Sequence, residues 1–273
     1  MADVTVGKAL AGARKMVSPA EARLLLRHTL ACSAAWLEAH HDDLLADPLV
    51  ESYAMLVGRR AAGEPVAYLL GVREFYGRDF EVSPAVLIPR PETELLVDLA
   101  AANLRSVPAP RILDLGTGSG CVAVTLALEI PHAEVIATDI SEDALAIAEG
   151  NAARHGARVL LAQSDWFSDL AEECFDLIVS NPPYIASADV HLSTGDLRFE
   201  PRLALASGRD GLTAIRRICG EAMEHLRPGG TLLLEHGYDQ AAAVAALLDT
   251  QGFAGVRQYR DMAGIVRVSG GRR

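Results

Sequence analysis

The segment with the most chemical content is Asn181-Pro182-Pro183-Tyr184. It follows Phe175–Ser180, a short apolar run that reads as a buried strand. Each proline holds φ at about −65° and removes a backbone donor, and the residue before each is driven to extended backbone. The turn is therefore stiff and rich in acceptors. The Asn181 side-chain oxygen and the Pro182 carbonyl can each accept one N–H of a planar amide or amino group, with the Tyr184 ring available to lie on that plane. Alone, such a turn reads equally well as an ordinary proline-rich loop, so its surroundings decide.

Upstream stands a second motif, Ile112-Leu113-Asp114-Leu115-Gly116-Thr117-Gly118-Ser119-Gly120. A strand runs into a glycine turn and a helix follows. Glycine takes positive φ and lets a backbone approach a ligand closely. A dinucleotide site asks for G-x-G-x-x-G, but Cys121 stands where the third glycine belongs, and the lysine of a P-loop is absent. Glu134–Asp139 reads as the next strand, ending in an acid able to accept from both ribose hydroxyls. Asp139 could instead cap the helix that follows, although Ser141 is the better-placed cap. After the third strand, Ser164-Asp165-Trp166 offers a carboxylate for an adenine amino group and an indole that either lies against the base or packs in the core.

In this order the motifs resemble the class I S-adenosylmethionine-dependent methyltransferases that act on planar nitrogens. The resemblance extends to Glu64-Pro65-Val66-Ala67-Tyr68-Leu69-Leu70-Gly71, Arg73-Glu74-Phe75-Tyr76-Gly77, Leu87-Ile88-Pro89-Arg90-Pro91-Glu92-Thr93-Glu94 and Phe199-Glu200-Pro201-Arg202-Leu203-Ala204-Leu205. Together these are similar to the release-factor glutamine methyltransferase (PrmC/HemK) family, from about residue 60 onward. Before residue 55 only the helical character matches. The resemblance implies S-adenosyl-L-methionine as cofactor, cradled by Gly116, Thr117, Gly118, Ser119 and Gly120, with Asp139 on the ribose, Asp165 and Trp166 at the adenine and Asn181 also binding the cofactor. It implies Asn181, Pro182, Pro183 and Tyr184 as the substrate grip, with Asn181, Pro182 and Tyr184 serving catalysis. It also implies the substrate: the glutamine of the Gly-Gly-Gln tip of class I peptide chain release factors. Arg90, Glu92, Glu200 and Arg202 stay without an assigned role, since Glu92 and Glu94 equally suit a helix N-terminus.

The elements that would hold these residues follow from caps and periodicity. Ser18-Pro19-Ala20-Glu21 is a capping box with proline at the first helical position, opening a helix to about Leu30 with Leu24, Leu25 and His28 near one stripe. Ser33 opens a short helix to Ala39, and Asp47-Pro48 another to about Ala62, ended by Gly63. Runs at Glu74-Phe75 and Phe80–Val82 predict a hairpin. From Pro91 strands and helices alternate: a helix to Leu104, strand 111–115, helix 119–130, strand 134–139, helix 142–154, strand 158–162, strand 175–180, helix 211–226 and strand 231–235, with Gln240–Leu248 helical. Alternation predicts an α/β fold, a Rossmann-like, doubly wound parallel sheet. The resulting division is a helical substrate-docking domain at 1–72, a hairpin linker at 73–88 and a methyltransferase domain at 89–273.

Charge narrows the substrate. Of the net −11, residues 1–80 carry −1 (nine basic, ten acidic side chains) and residues 81–273 carry the remaining −10. Nucleic-acid faces need basic patches, so this balance disfavours nucleic acid and suits a basic protein segment. Cys32, Cys121, Cys174 and Cys219 show no metal-ligand spacing and read as reduced thiols of a cytoplasmic protein. No apolar run approaches the roughly 20 residues of a membrane helix, and no long heptad predicts a state beyond monomer. Two other readings share these motifs. One is a nucleic-acid amino methyltransferase, acting on adenine in DNA or guanine in ribosomal RNA. The other is a non-enzymatic docking protein that keeps only the cofactor pocket. A nicotinamide dehydrogenase is disfavoured by Cys121.

Overall fold

The computed structural model describes residues 3–170 and 173–273. It divides into two compact units, Met1–Val72 and Arg73–Arg273.

The first unit is helical: α1 (Val6–Ala13), α2 (Pro19–Leu30), α3 (Ala34–Ala39), α4 (Asp47–Ala61) and α5 (Val66–Leu70). The capping box forms as its spacing demands, with the Ser18 hydroxyl accepting from Glu21 N at 3.3 Å and the Glu21 carboxylate accepting from Ser18 N at 3.0 Å. Ser33 caps α3 through Trp36 N. The buried stripe of α2 differs from the sequence reading. Ala22, Leu25 and Leu26 face the core, while Leu24 is 38% exposed and His28 faces solvent. The helix is wound so that the i, i+3, i+4 set begins at Ala22. Tyr53 on α4 reaches across to donate to the Ala22 carbonyl at 2.9 Å, satisfying a buried hydroxyl.

The second unit opens within the first strand of the hairpin β1 (Val72–Phe75) and β2 (Arg78–Glu81). A 3₁₀ turn, Pro91–Thr93, leads into α6 (Glu94–Leu104). The alternating series follows: β3 (Arg111–Leu115), α7 (Cys121–Glu129), β4 (Glu134–Asp139), α8 (Glu142–His155), β5 (Val159–Gln163) and β6 (Phe175–Ser180). Then come α9 (Arg202–Leu205), α10 (Thr213–His225), β7 (Leu226–Glu235), α11 (Ala241–Thr250), β8 (Ala254–Arg260) and β9 (Val266–Arg272). Seven strands form one sheet in the order β5-β4-β3-β6-β7-β9-β8. The first five are parallel, whereas β9 runs antiparallel to both β7 and β8. The expectation of a wholly parallel sheet is corrected at that edge. Ile112, Leu113 and Leu115 are fully buried, as are Leu177, Ile178 and Val179, because helices cover both faces of the central strands.

Chain order reverses between β3 and β6, the point where ligand crevices open in such sheets. Leu115 pairs with Ser180 and also with Thr138, and Ser180 pairs with Leu234. This register brings the carboxyl ends of four strands side by side, at Gly116, Asp139, Asn181 and Glu235.

Candidate functional site

Above the switch point lies a cavity of about 380 Å³, within the range of small-molecule sites. Gly116, Thr117, Gly118, Ser119, Asp139, Asp165, Trp166, Asn181 and Pro183 line it. Gly120, Pro182 and Tyr184 do not.

The glycine turn is shaped by contacts. Gly116, Gly118 and Gly120 all sit at positive φ, and a Cβ on Gly120 would lie 3.0 Å from the Ala148 Cβ, so α7 and α8 close to backbone distance there. Asn151 of α8, fully buried, fastens this turn. It donates to the Ser119 carbonyl at 2.8 Å and to the Glu81 carbonyl at 3.0 Å, and accepts from Glu81 N at 2.7 Å. Asp139 closes the loop from the other side, accepting from Gly118 N at 2.9 Å and Ser141 N at 3.0 Å. Ser141 caps α8 through Ala144 N at 3.2 Å, in keeping with the cap chosen from sequence.

Asp114, not singled out from sequence, is the most perturbed acid of the cavity wall. It is 2% exposed and accepts from the Thr117 hydroxyl at 2.7 Å. Burial pushes its carboxyl up to about 7; hydrogen bonds from Thr117 and the Ala123 N–H oppose the rise, and the charge of Asp139 adds to it. A cation in the cavity would favour its ionised form.

Trp166 has φ +57°, rare for so bulky a residue, and its ring comes within 3.5 Å of where a Gly116 Cβ would stand. The indole both lines the cavity and packs on the apolar cluster beneath it. Asp165 is engaged by Arg217, whose guanidinium donates to Oδ2 at 2.6 Å and to the Asp165 carbonyl at 3.1 Å. The second carboxylate oxygen is the one left to a base amino group. Arg217 lines the cavity too, and lies too far along the chain for sequence to have paired it with Asp165.

The Asn-Pro-Pro-Tyr turn is held from behind. Asn181 Nδ2 donates to the Thr93 hydroxyl at 3.1 Å, which leaves Oδ1 as the free acceptor. Pro182 is buried. The Tyr184 ring was expected as a stacking face for the substrate. It packs instead against the apolar cluster, with its hydroxyl directed to Glu235 at 3.4 Å, its carbonyl taken by Gln240 at 2.9 Å, and its pKa pushed by burial above the ordinary tyrosine range. Glu200, 4% exposed, accepts from Ile88 N at 3.1 Å and from the Arg90 guanidinium at 2.5 Å, strapping the loop that walls the cavity. Arg202 lies at the start of α9 and donates to the Ser187 carbonyl at 3.3 Å.

A family model described as "PrmC N-terminal domain" matches residues 6–71, and one described as "Methyltransferase small domain" matches residues 91–199. The chain is 56% identical to the release factor glutamine methyltransferase of Bordetella pertussis, over 92% of this chain and 93% of that protein. It is 51% identical to the protein of the same name from Xylella fastidiosa, over 96% of each. Among solved structures, a methyltransferase from Pyrococcus furiosus superposes with a TM-score of 0.54 at 21% identity, covering 79% of this chain and 95% of that one.

Proposed function

The chain belongs to the release factor glutamine methyltransferase family, and from that premise we infer that it transfers a methyl group from S-adenosyl-L-methionine to the side-chain amide nitrogen of the Gly-Gly-Gln glutamine of class I peptide chain release factors. The observation that carries the reading is the pairing of Leu115 with Ser180, which sets the glycine turn and the Asn181 acceptor against one cavity.

The cavity suits the cofactor. It offers a positive-φ backbone cradle at Gly116–Gly120, a carboxylate at Asp139 with lone pairs to spare, and a buried acid at Asp114 that a cationic ligand would ionise. When bound, the cofactor supplies a methyl carbon made electrophilic by its sulfonium, with a neutral leaving group. The chain's task is then the nucleophile. An amide nitrogen is poor because its lone pair is delocalised into the carbonyl. In this reading Asn181 Oδ1 on the cavity wall and the carbonyl of Pro182, a buried residue that does not itself line the cavity, each accept one N–H, hold the nitrogen in place and favour its pyramidal form. Both acceptors strengthen their hold as positive charge develops on nitrogen. The product nitrogen sheds its proton readily, so no side-chain base is required before transfer. Tyr184 acts here through Glu235 rather than by stacking.

Residues 1–72 serve as the docking domain for the release factor, 73–88 as the connector and 89–273 as the catalytic part. The acidic charge of residues 81–273 supports a protein rather than a nucleic-acid substrate. Among the described residues no helix is long and apolar enough to cross a membrane. We place the activity in the cytoplasm and in a monomer.

The test is transfer of radiolabelled methyl to a release factor, to the same factor with its glutamine replaced by alanine, and to duplex DNA. Label on the intact factor alone is expected. Label on DNA alone would overturn the reading. Asn181→Ala should abolish turnover while sparing much of the cofactor affinity, since Asn181 is one of several groups on the cofactor but the main acceptor for the substrate.

A further inference from the structure

Behind Asn181 lies a buried polar chain. The register of β6 with β7 sets Glu235 beside Asn181 at the strand ends, and Glu235 is 1% exposed. Thr93, 2% exposed, sits between them at the end of the Pro91–Thr93 turn. Its hydroxyl accepts from Asn181 Nδ2 at 3.1 Å, which leaves its own proton uncommitted, and it is one of the groups that act on the Glu235 carboxyl. The Tyr184 hydroxyl directs its proton at the same carboxyl, on Oε1. Glu235 Oε2 is buried without a hydrogen-bond partner among the described residues. A buried carboxylate so sparingly served would be a liability unless it had a task.

We propose that Glu235 and Thr93 are positioning residues that set which end of the Asn181 side-chain amide faces the substrate. This rests on the reading of Asn181 as the substrate's acceptor. A hydroxyl has one proton. An ionised carboxylate only accepts; with the uncommitted Thr93 proton turned to the orphaned Glu235 Oε2, the Thr93 lone pair takes an N–H from Asn181. Oδ1 is thereby turned to the cavity. With the direction reversed, Thr93 would donate to Asn181 Oδ1, and the cavity would meet an NH2 group that repels the substrate's own N–H. The negative charge at the far end also polarises the chain toward Oδ1, in the sense that helps a nitrogen gaining positive charge.

The charge state of Glu235 therefore governs the direction. Burial pushes its carboxyl up to about 7, and Thr93, Tyr184 and Arg267 of β9 oppose the rise while Glu92 adds to it. Cys121 of α7 is also within its field. Below that pH the protonated carboxyl can donate to Thr93 and reverse the chain.

The test is a set of variants measured with a release factor as methyl acceptor. Thr93→Val, which keeps shape and deletes the hydroxyl, should lower kcat about 100-fold, within the range for loss of one transition-state hydrogen-bonding group. The KM for cofactor should be unchanged, and Thr93→Ser should restore kcat to within about threefold. Glu235→Gln, whose amide can donate to Thr93, should cost kcat similarly. The double variant should be no worse than the poorer single variant, because the residues act as one unit. The wild-type kcat should fall on the acid side of about pH 7, and that limb should be missing in Thr93→Val. Independent of activity, the Asn181 carboxamide protons, read by NMR in apo protein labelled at asparagine, should exchange slowly in wild type and Thr93→Ser and fast in Thr93→Val. Glu235→Gln at full kcat, no rescue by serine, or multiplicative losses in the double variant would each overturn the proposal. Should Glu235→Gln not fold, the valine and serine pair at 93 decides alone. A wild-type chain that labels no release factor would instead refute the functional reading, and the carboxamide exchange would still judge the orientation.

Discussion

Replacing Asp114 by asparagine should stabilise the protein and weaken its cofactor binding at once. Burial raises the Asp114 carboxyl from 3.8 to about 7. A raised folded-state pKa means that the folded chain holds a proton the unfolded chain has released. Between about pH 4 and pH 7 stability therefore falls as pH rises, and above about 7 the loss is complete. A rise of about three pH units corresponds to about 4 kcal/mol. Asparagine carries no such charge and still accepts from the Ala123 N–H, while the Thr117 hydroxyl can rotate to accept from the new NH2 group. The variant should thus gain about 2–4 kcal/mol over wild type at pH 8 and almost nothing at pH 4. Urea unfolding followed by Trp166 fluorescence, in a Trp36→Phe background, measures the difference. Calorimetry at pH 8 should show cofactor affinity lowered roughly tenfold, the scale of one lost charged hydrogen bond. A stability difference between the two chains that stays constant from pH 4 to pH 8 would refute the argument, because the whole gain is assigned to a titrating group.

Asn151→Ala should cost about 2–3 kcal/mol in urea unfolding, because it strands the buried Ser119 carbonyl and removes the partner of the half-buried Glu81 N–H and carbonyl. Gly120→Ala should cost about 2–3 kcal/mol by the same assay, since it combines a left-handed backbone at φ +78° with a Cβ set 3.0 Å from Ala148. Ser18→Ala should remove the capping box and lower the stability of the N-terminal helical unit by about 1 kcal/mol, read as a lower thermal midpoint.

Strands at 111–115, 134–139 and 175–180 were legible in the sequence to the residue, because each is covered on both faces and carries an apolar run, with its polar residues mostly toward the ends. The antiparallel edge was not. β8, Ala254–Arg260, alternates only weakly between exposed and half-buried positions and carries Gly255, Arg257 and Gln258, which give no strand signal. α1 was missed because Gly7 and Gly12 mask its pattern, and its buried Gly7 reflects close approach to His41. At the site, the residues held by one local turn could be read directly: Gly116 through Gly120, and Asn181 beside its prolines. Thr93, Arg217, Glu200 and Glu235 could not, because each meets its partner across at least 50 residues of chain, and only the sheet register brings them together. Tyr184 shows the converse: its place next to Pro183 is fixed by sequence, but the direction of its ring depends on Glu235 and Gln240.

The bridge at Asn151 carries a consequence for how this protein is observed. Glu81 lies on a hairpin strand that the cavity does not include, but its amide hydrogen rests on the same carboxamide that holds the Ser119 carbonyl. Whatever stiffens the turn around Ser119 must quieten Glu81 as well. That distant amide is a built-in reporter, and its isotope exchange should slow in step with occupancy of a ligand it never touches.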